Sequence, residues 1–409
     1  MVNPTNSSER AYRRFLIGLC CVYTLLLIYG TLYPFNWQWH ATLTLEPFLH
    51  WPKRLAKSDF ITNLLVYIPL GLLLGQLLKK RFGVWATVLI ATTCGTLLSF
   101  SLEYLQLMLP NRVSSLADVA LNSTGSFLGA GLSSIFSGTS VFYRSLAHFR
   151  KQWFLPGAVT NVGLIVIGLW ALSQLMPLVP SLDMATMRHG LKPIWHTLNN
   201  LATFDFWQAS TYTLNIFALC ALSSLIIKPE RPHLRLLVGF VVAVLLFKVP
   251  VIGRQLSLEA ISGAVSGMVV YAIMRPKTHT TVLAACALIA ALVVDTVHAS
   301  NPYNILLRDI NWIPFRGQMR TVMGLADLSA SLWPFAALAF LVIHRKPRRL
   351  KTVVVTGGIL VFCFAFSLEL VQQYIPGRYP DITDVLLATA GWGLAWWYYC
   401  SHDEGEATS

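Results

Sequence analysis

Charged residues are scarce in this sequence. Asp, Glu, Lys and Arg make up 12% of the 409 residues, whereas soluble domains contain about 25%. Apolar runs of about 20 residues, enough to cross a hydrocarbon core of roughly 30 Å, recur along the whole chain. This composition excludes a soluble globular protein and predicts an all-α, polytopic transmembrane helical bundle. Acidic residues number 18 against 31 Lys and Arg, an excess that in a membrane protein sets topology and contacts anionic headgroups rather than nucleic acid.

Several chemical signatures are absent too. The seven cysteines lie within apolar segments without Cys-x-x-Cys spacing, and we interpret them as free thiols. Because no metal-ligand spacing, nucleophile elbow, phosphate-binding loop or cofactor motif is present, we predict neither a metal nor a cofactor. Whether the chain is an enzyme stays open. The first apolar run lacks a small-residue cleavage site before Trp37, so it is interpreted as an uncleaved first helix.

The apolar runs predict about twelve spanning segments. Lys and Arg cluster in alternate short loops, with five between positions 345 and 351. Since short basic loops mark the cytoplasmic face, both termini are predicted inside, and the loops that begin at Pro110 and Pro376 outside. The segments lie at roughly 15–33, 60–79, 84–108, 116–136, 155–177, 211–228, 234–252, 257–274, 280–298, 326–344, 351–374 and 383–400.

One polar stretch, residues 101–125, returns near the C-terminus as residues 367–391, shifted by 266 positions. A third, weaker copy is predicted between them, because Arg254 precedes Gly267 by 13 residues, as Arg112 precedes Gly125. The middle copy lacks the upstream Glu/Gln pair. These copies predict three four-helix units: 1–150, a degenerate middle unit at 151–278, and 279–402, followed by a polar tail at 403–409.

These motifs resemble those of the VanZ-like family of bacterial membrane proteins. In the C-terminal copy Ala388 stands at the place of Asn122 and Ser331 at that of Asn63, so the N-terminal unit is the more complete. The resemblance implies a protein of the bacterial cytoplasmic (inner) membrane, associated with low-level glycopeptide (teicoplanin) resistance, and leaves its chemistry open. The matching N-terminal residues are Asp59, Asn63, Pro69, Gly71, Ser101, Glu103, Gln106, Pro110, Arg112, Asp118, Asn122, Gly125 and Gly129.

The polar residues of both copies form one candidate site, which the predicted topology places at the outer face. A carboxylate inside a span costs roughly 2.5–3.5 kcal/mol on insertion scales, so Glu103 needs a partner or water. We expect an ion pair between Glu103 and Arg112, and a second one between Glu369 and Arg378. An arginine can also bind a phosphate or a carboxylate through two parallel hydrogen bonds. The site comprises Asp59, Asn63, Glu103, Gln106, Arg112, Asp118, Asn122, Glu369, Gln372, Arg378 and Asp384.

A purely structural interpretation competes with this one. Asp118 and Asp384 follow a polar residue by three at the start of an apolar run, a spacing typical of residues that only stabilise a helix N-terminus. The two Glu–Arg pairs are open to the same interpretation. Asp295 and His298, three apart, are either a proton relay or a structural aspartate beside a surface histidine.

Three functions stay open. The first is the handling of membrane lipids, as an anionic lipid or a lipid-linked envelope precursor, at the outer face. The second is secondary transport outside the major-facilitator superfamily, whose halves would repeat at half the chain. The third is a non-catalytic scaffold or modulator with unidentified protein partners. Because the middle copy keeps Arg254 and Gly267 but no Glu/Gln pair, we favour the glutamates as functional residues and the arginines as residues that the fold requires.

Overall fold

The computed structural model describes residues 4–33, 35–38, 46–48, 51, 57–110, 113–135, 140–181, 183–274, 279–298, 307–318 and 324–403, with the backbone alone at 4–11, 47, 57–59, 142, 325–326 and 403. Regular structure in these ranges is helical, which confirms the all-α prediction. The α-helices are α1 (Pro4–Leu32), α2 (Lys57–Leu78), α3 (Val84–Gln106), α4 (Leu116–Ile135), α5 (Val141–Trp153), α6 (Ala158–Leu175), α7 (Met184–Asn199), α8 (Phe206–Ile226), α9 (His233–Lys248), α10 (Leu258–Met274), α11 (Thr280–Val297), α12 (Gly324–His344), α13 (Leu350–Gln372) and α14 (Ile382–Asp403).

Each of the twelve predicted spans corresponds to one of these helices. Eight helices in the described ranges are long and apolar enough to cross a membrane: α1, α2, α3, α6, α8, α11, α12 and α13. The others, α4, α9, α10 and α14, are shorter or carry more polar residues; α4 alone contains three Gly and four Ser. Small residues of this kind let membrane helices approach closely. The protein is therefore membrane-embedded.

Helices α5 and α7 were not predicted. Both are amphipathic: α5 carries Arg144, Arg150 and Lys151 beside exposed apolar residues, and α7 contains two histidines and a lysine. A search for long apolar runs misses such helices, because polar residues interrupt every run that they contain.

The chain forms two compact units, divided after Gln152. The first contains helices α1–α4, called here the N-terminal segment, together with α5. The second contains the middle segment (α6, α8, α9 and α10), the C-terminal segment (α11–α14) and helix α7. Inside the second unit, α6 packs on α12 and α8 on α11, around a core that includes Trp170, Phe340 and Trp396. The boundaries predicted between the three repeat units stay predictions.

The second and fourth helices of every segment pack backbone to backbone. A Cβ added at Gly125 would lie 2.2 Å from a carbonyl oxygen of α2, at Gly391 2.4 Å from one of α12, and at Gly267 2.5 Å from one of α8. Real Cβ atoms do not approach that closely, so each position requires glycine. The same contact at the same place supports one architecture, used three times.

Candidate functional site

Each segment has one end at which its third helix finishes and its fourth begins, called here its polar end. The third helices end at Gln106, Lys248 and Gln372. In all three segments an arginine follows six residues later and the packing glycine nineteen residues later. The structure therefore aligns the three copies without a gap over the whole polar end.

In the N-terminal segment, Glu103 holds the loop that leads into α4. Its side chain is 5% exposed, and Oε2 accepts a hydrogen bond from the backbone N–H of Ser115 at 3.1 Å. The Ser114 hydroxyl donates to the Glu103 carbonyl oxygen at 2.6 Å. The buried carboxylate thus has a backbone partner, as its burial requires.

Two other predicted residues link neighbouring helices. The Gln106 side-chain amide donates to the Thr31 carbonyl oxygen at 3.0 Å, close to the end of α1. The Asn122 amide donates to the Ser99 hydroxyl at 2.9 Å, between α4 and α3. Both side chains are buried, so these bonds fix the relative positions of three helices.

Asp118 also bonds a neighbouring helix: its Oδ1 accepts a hydrogen bond from the Asn63 amide of α2 at 2.5 Å. The start of α4 is capped instead by Ser115, whose hydroxyl oxygen accepts from the Ala117 N–H. The interpretation of Asp118 as a residue that only stabilises its own helix end is therefore too narrow. The structure does not describe the side chain of Asp59 or any part of Arg112. The predicted Glu103–Arg112 pair therefore lies outside the described residues.

The C-terminal segment repeats this arrangement. Glu369 is 4% exposed; its Oε2 accepts from the Asp381 N–H at 2.8 Å and its Oε1 from the Gln372 amide at 2.9 Å. Asp381 occupies the position of Ser115 and caps α14 in the same way, accepting from the Thr383 N–H at 2.8 Å. The two glutamates therefore make the same backbone bond in both copies.

Asp384 pairs with Ser331 as Asp118 pairs with Asn63. The Ser331 hydroxyl of α12 donates to Asp384 Oδ1 at 2.7 Å. Asn63 and Ser331 are different residue types, yet each donates a hydrogen bond from the second helix to the aspartate of the fourth helix. The interpretation of Asp384 as a residue that only stabilises its own helix end is therefore too narrow as well.

The predicted Glu369–Arg378 ion pair is wrong. The Arg378 Nε donates to the carbonyl oxygen of His298 at 2.9 Å, and its Nη2 lies 3.8 Å from Asp295. The preceding residue, Gly377, has a φ of 80°, a left-handed conformation that glycine adopts without strain. The chain therefore turns at this glycine, and the guanidinium points to the end of α11 instead of back along α13.

Arg254 of the middle segment makes the same contact. Its Nε donates to the Met176 carbonyl oxygen at 2.6 Å and its Nη2 to that of Ser173 at 2.9 Å. Met176 follows α6 directly, as His298 follows α11, and Gly253 has a φ of 74°. Burial lowers the pKa of Arg254, which still leaves it charged at neutral pH. These contacts support the hypothesis that the fold requires the arginines.

His298 contacts Asp205 and not Asp295, the aspartate three residues earlier in the sequence. Its Nε2 lies 2.6 Å from Oδ2 of Asp205, in the loop before α8. Asp295 faces Arg378 instead. The contact between Asp205 and His298 thus connects the polar ends of the middle and C-terminal segments, which no spacing in the sequence indicates.

Sequence reasoning also missed a rim of arginine and aromatic side chains at the C-terminal polar end. The guanidinium carbon of Arg308 lies 3.8 Å from the ring centroid of Tyr379, and Arg316 is exposed nearby in the chain. Trp312 is 63% exposed. Asn311 joins this loop to the loop held by Glu369, by donating to Asp381 Oδ2 at 3.0 Å.

Comparison with known proteins gives one match. The model of the VanZ/LLP1 family matches residues 20–137 and 278–402, which together exceed half of the chain and contain the polar ends at Glu103 and Glu369. The middle polar end lies outside both matched ranges. No curated protein and no solved structure matches significantly.

Proposed function

The chain belongs to the VanZ/LLP1 family, and we propose that it binds the anionic headgroup of a lipid, or of a lipid-linked envelope precursor. The proposal places the binding site at the outer face of the bacterial cytoplasmic membrane, in agreement with the basic loops at the opposite helix ends. A link to glycopeptide (teicoplanin) resistance, which the resemblance to the family implies, belongs to the same proposal.

The arginine–aromatic rim of the C-terminal segment carries this proposal. Arg308 stacks on Tyr379, while Trp312 and Arg316 are exposed on the same short loop. Guanidinium groups bind phosphate through two parallel hydrogen bonds, and amphipathic aromatic rings prefer the headgroup region. Together they suit a ligand with a phosphate in the headgroup layer and a chain in the bilayer.

Glu103 and Glu369 act as positioning residues in this proposal. Both carboxylates accept from a backbone N–H of the loop that follows. Glu369 thereby fixes Asp381, which holds Asn311 and with it the loop of Arg308 and Trp312. In this proposal Glu369 is functional because it shapes the rim, and Glu103 because it holds the equivalent loop of the N-terminal segment; neither touches the ligand.

One observation favours proton-coupled transport as a second candidate. Glu369, Asp381 and Asp384 are three carboxylates on one stretch of chain, and Glu369 and Asp381 are buried. Intramembrane carboxylates of this kind mark proton pathways in transporters. The two candidates differ in a measurable way, because a transporter moves protons or solute across sealed vesicles and a headgroup-binding protein need not.

Lipid identification tests the proposed function. The protein is purified in native membrane discs and its lipids are quantified by mass spectrometry, for the unaltered chain and for an Arg308→Ala/Arg316→Ala variant. Each arginine near an anionic surface contributes about 1 kcal/mol, so enrichment of the bound anionic lipid is expected to fall by about 30-fold. The matched control is Arg348→Ala/Arg349→Ala, two exposed arginines before α13.

Two results would refute the lipid proposal: no anionic lipid enriched over the bulk membrane in the unaltered protein, or an equal loss in the control. Orientation is tested separately with Tyr379→Cys, at a position that is 58% exposed. We expect an impermeant thiol reagent added outside intact cells to label it. Protection from that reagent would place the rim on the cytoplasmic side.

A further inference from the structure

The geometry points to a binding site for a phosphate-bearing anion at the polar end of the middle segment, with Lys248 as its central cation. This segment lies outside the ranges that match the family. The site is separate from the rim around Arg308 and lies within the second compact unit.

The first observation is the position of Lys248. It ends α9 at the place where Gln106 ends α3 and Gln372 ends α13. The arginine six residues later keeps its contact with the end of the first helix, in Arg254 as in Arg378. An ammonium group has thus replaced an amide inside an otherwise conserved frame.

The second observation is that the buried charge of Lys248 lacks an anionic partner. The residue is 6% exposed, and its Nζ donates to Gln174 Oε1 at 3.2 Å and to the Tyr212 hydroxyl at 3.3 Å. Both acceptors are neutral. Within the part of the chain that the structure describes, no carboxylate lies within 4.0 Å of this Nζ. A buried charge is costly unless it is paired.

The third observation is a cleft of about 600 Å³ that Lys248 lines. This volume is in the range of small-molecule sites. Helix α7, the start of α8 and the loop before α10 contribute the other donors, including Lys192, His196, Gln208 and Arg254. Because the wall is mostly polar, it suits a phosphate attached to a polar body such as glycerol or a sugar.

The fourth observation concerns the two carboxylates of the cleft, which are already engaged. Asp205 caps α8, since its Oδ1 accepts from the N–H groups of Trp207 and Gln208 at 2.9 and 3.0 Å, and its Oδ2 faces His298 at 2.6 Å. Glu259 accepts from the Asp205 N–H at 3.2 Å. Neither carboxylate lies within 4.0 Å of the Lys248 Nζ, so the buried ammonium group in this cleft has no carboxylate partner.

A phosphate group reaches this cleft either from a lipid headgroup or from a soluble compound, and the experiment separates these sources. The full-length protein is placed in nanodiscs of phosphatidylcholine alone, and binding of glycerol 3-phosphate is measured by calorimetry. In a second arm, native mass spectrometry counts phosphatidic acid retained from mixed nanodiscs. Binding in the first arm identifies a soluble ligand, and retention in the second alone identifies a headgroup.

The variant Lys248→Gln restores the residue type found at the two equivalent positions and removes the charge. We expect it to weaken binding of the effective probe at least tenfold, while Lys248→Arg retains most of the affinity. The control Lys351→Gln removes an exposed lysine in the first turn of α13 and should change nothing. If Lys248→Gln does not fold, Lys192→Gln, at an exposed lysine that lines the same cleft, takes its place: weaker binding of the probe supports the site, and unchanged binding contradicts it.

Failure to bind either probe at millimolar concentration would overturn the site, and so would unchanged binding by a folded Lys248→Gln variant. The result is independent of the proposed lipid function. Arg308→Ala/Arg316→Ala leaves binding at Lys248 intact if the two sites are separate, and Lys248→Gln leaves lipid enrichment at the rim intact.

Discussion

Replacing Glu369 tests whether the buried glutamates position the loop or act in chemistry. The carboxylate accepts two hydrogen bonds, from the Asp381 N–H at 2.8 Å and from the Gln372 amide at 2.9 Å. Glu369→Ala removes both acceptors at once, whereas Glu369→Gln keeps one amide oxygen as an acceptor. The two variants therefore remove these hydrogen bonds to different extents.

The expected magnitude follows from burial. Asp381 is 9% exposed, so its N–H loses its partner without gaining water, which costs about 1–3 kcal/mol. The Gln372 amide is only partly buried and can rotate, which adds about 1 kcal/mol. We expect Glu369→Ala to lower the free energy of unfolding by about 2–4 kcal/mol, and Glu369→Gln by about half of that.

The assay combines denaturant unfolding in detergent with amide hydrogen exchange. Glu230→Ala, a change at an exposed glutamate between α8 and α9, serves as the control and should stay within about 0.5 kcal/mol of the unaltered protein. Exchange should rise at residues 373–381 in the Glu369 variants alone. If Glu369→Ala is as stable and as protected from hydrogen exchange as Glu230→Ala but has lost lipid enrichment, then positioning the loop is not the function of Glu369.

Three further predictions follow from single contacts. Gly125→Ala places a Cβ 2.2 Å from a backbone oxygen of α2 and should destabilise the protein by about 1–3 kcal/mol; Gly131→Ala, with no atom within 4 Å, should be neutral or stabilising in the same thermal-shift assay. Ser331→Ala should cost about 1 kcal/mol by removing the bond to Asp384, while Ser331→Asn should retain stability. Arg254→Ala should lower the unfolding midpoint in urea, because the carbonyl oxygens of Met176 and Ser173 lose their donor; an unchanged midpoint would show that these two hydrogen bonds do not stabilise the fold.

The helices and the repeat were predictable because both leave a signal in the order of residues. A span needs about 20 apolar residues, which are visible in the sequence. A polar stretch that recurs at a constant shift of 266 positions can be recognised without alignment to other proteins. The glycines were predictable as packing positions for the same reason. What they pack against, a carbonyl oxygen of the second helix, required the structure.

The partners of the polar residues were less predictable, because side-chain direction depends on one or two backbone angles. At Gly377 the left-handed turn sends Arg378 to His298, 80 positions away, although Glu369 is closer in sequence. Lys248 was overlooked for another reason. The proline before the arginine stands two positions earlier in the middle copy than in the others, which obscured the end of α9 as the equivalent of Gln106.

Comparison of the three polar ends separates what the architecture requires from what can change. Arg254 and Arg378 make the same backbone contact with the end of a first helix, so their presence reports the fold and says little about a ligand. The last residue of the third helix differs in every copy. Gln106 bonds the backbone of α1, Gln372 bonds Glu369, and Lys248 lines a cleft.

A position that is structurally equivalent and yet makes three different sets of contacts is where we expect the three segments to differ in function. The frame around it already supplies a turn, an arginine and the start of a helix, so the proposed phosphate site needs only the change from an amide to the ammonium group of Lys248. In the terminal segments the glutamate one turn earlier keeps the loop closed. In the middle segment Leu245 stands at the position of this glutamate. There Glu259, in the first turn of α10, accepts a hydrogen bond from the backbone N–H of Asp205 before α8. The middle segment has thus exchanged its polar residues while keeping a polar end.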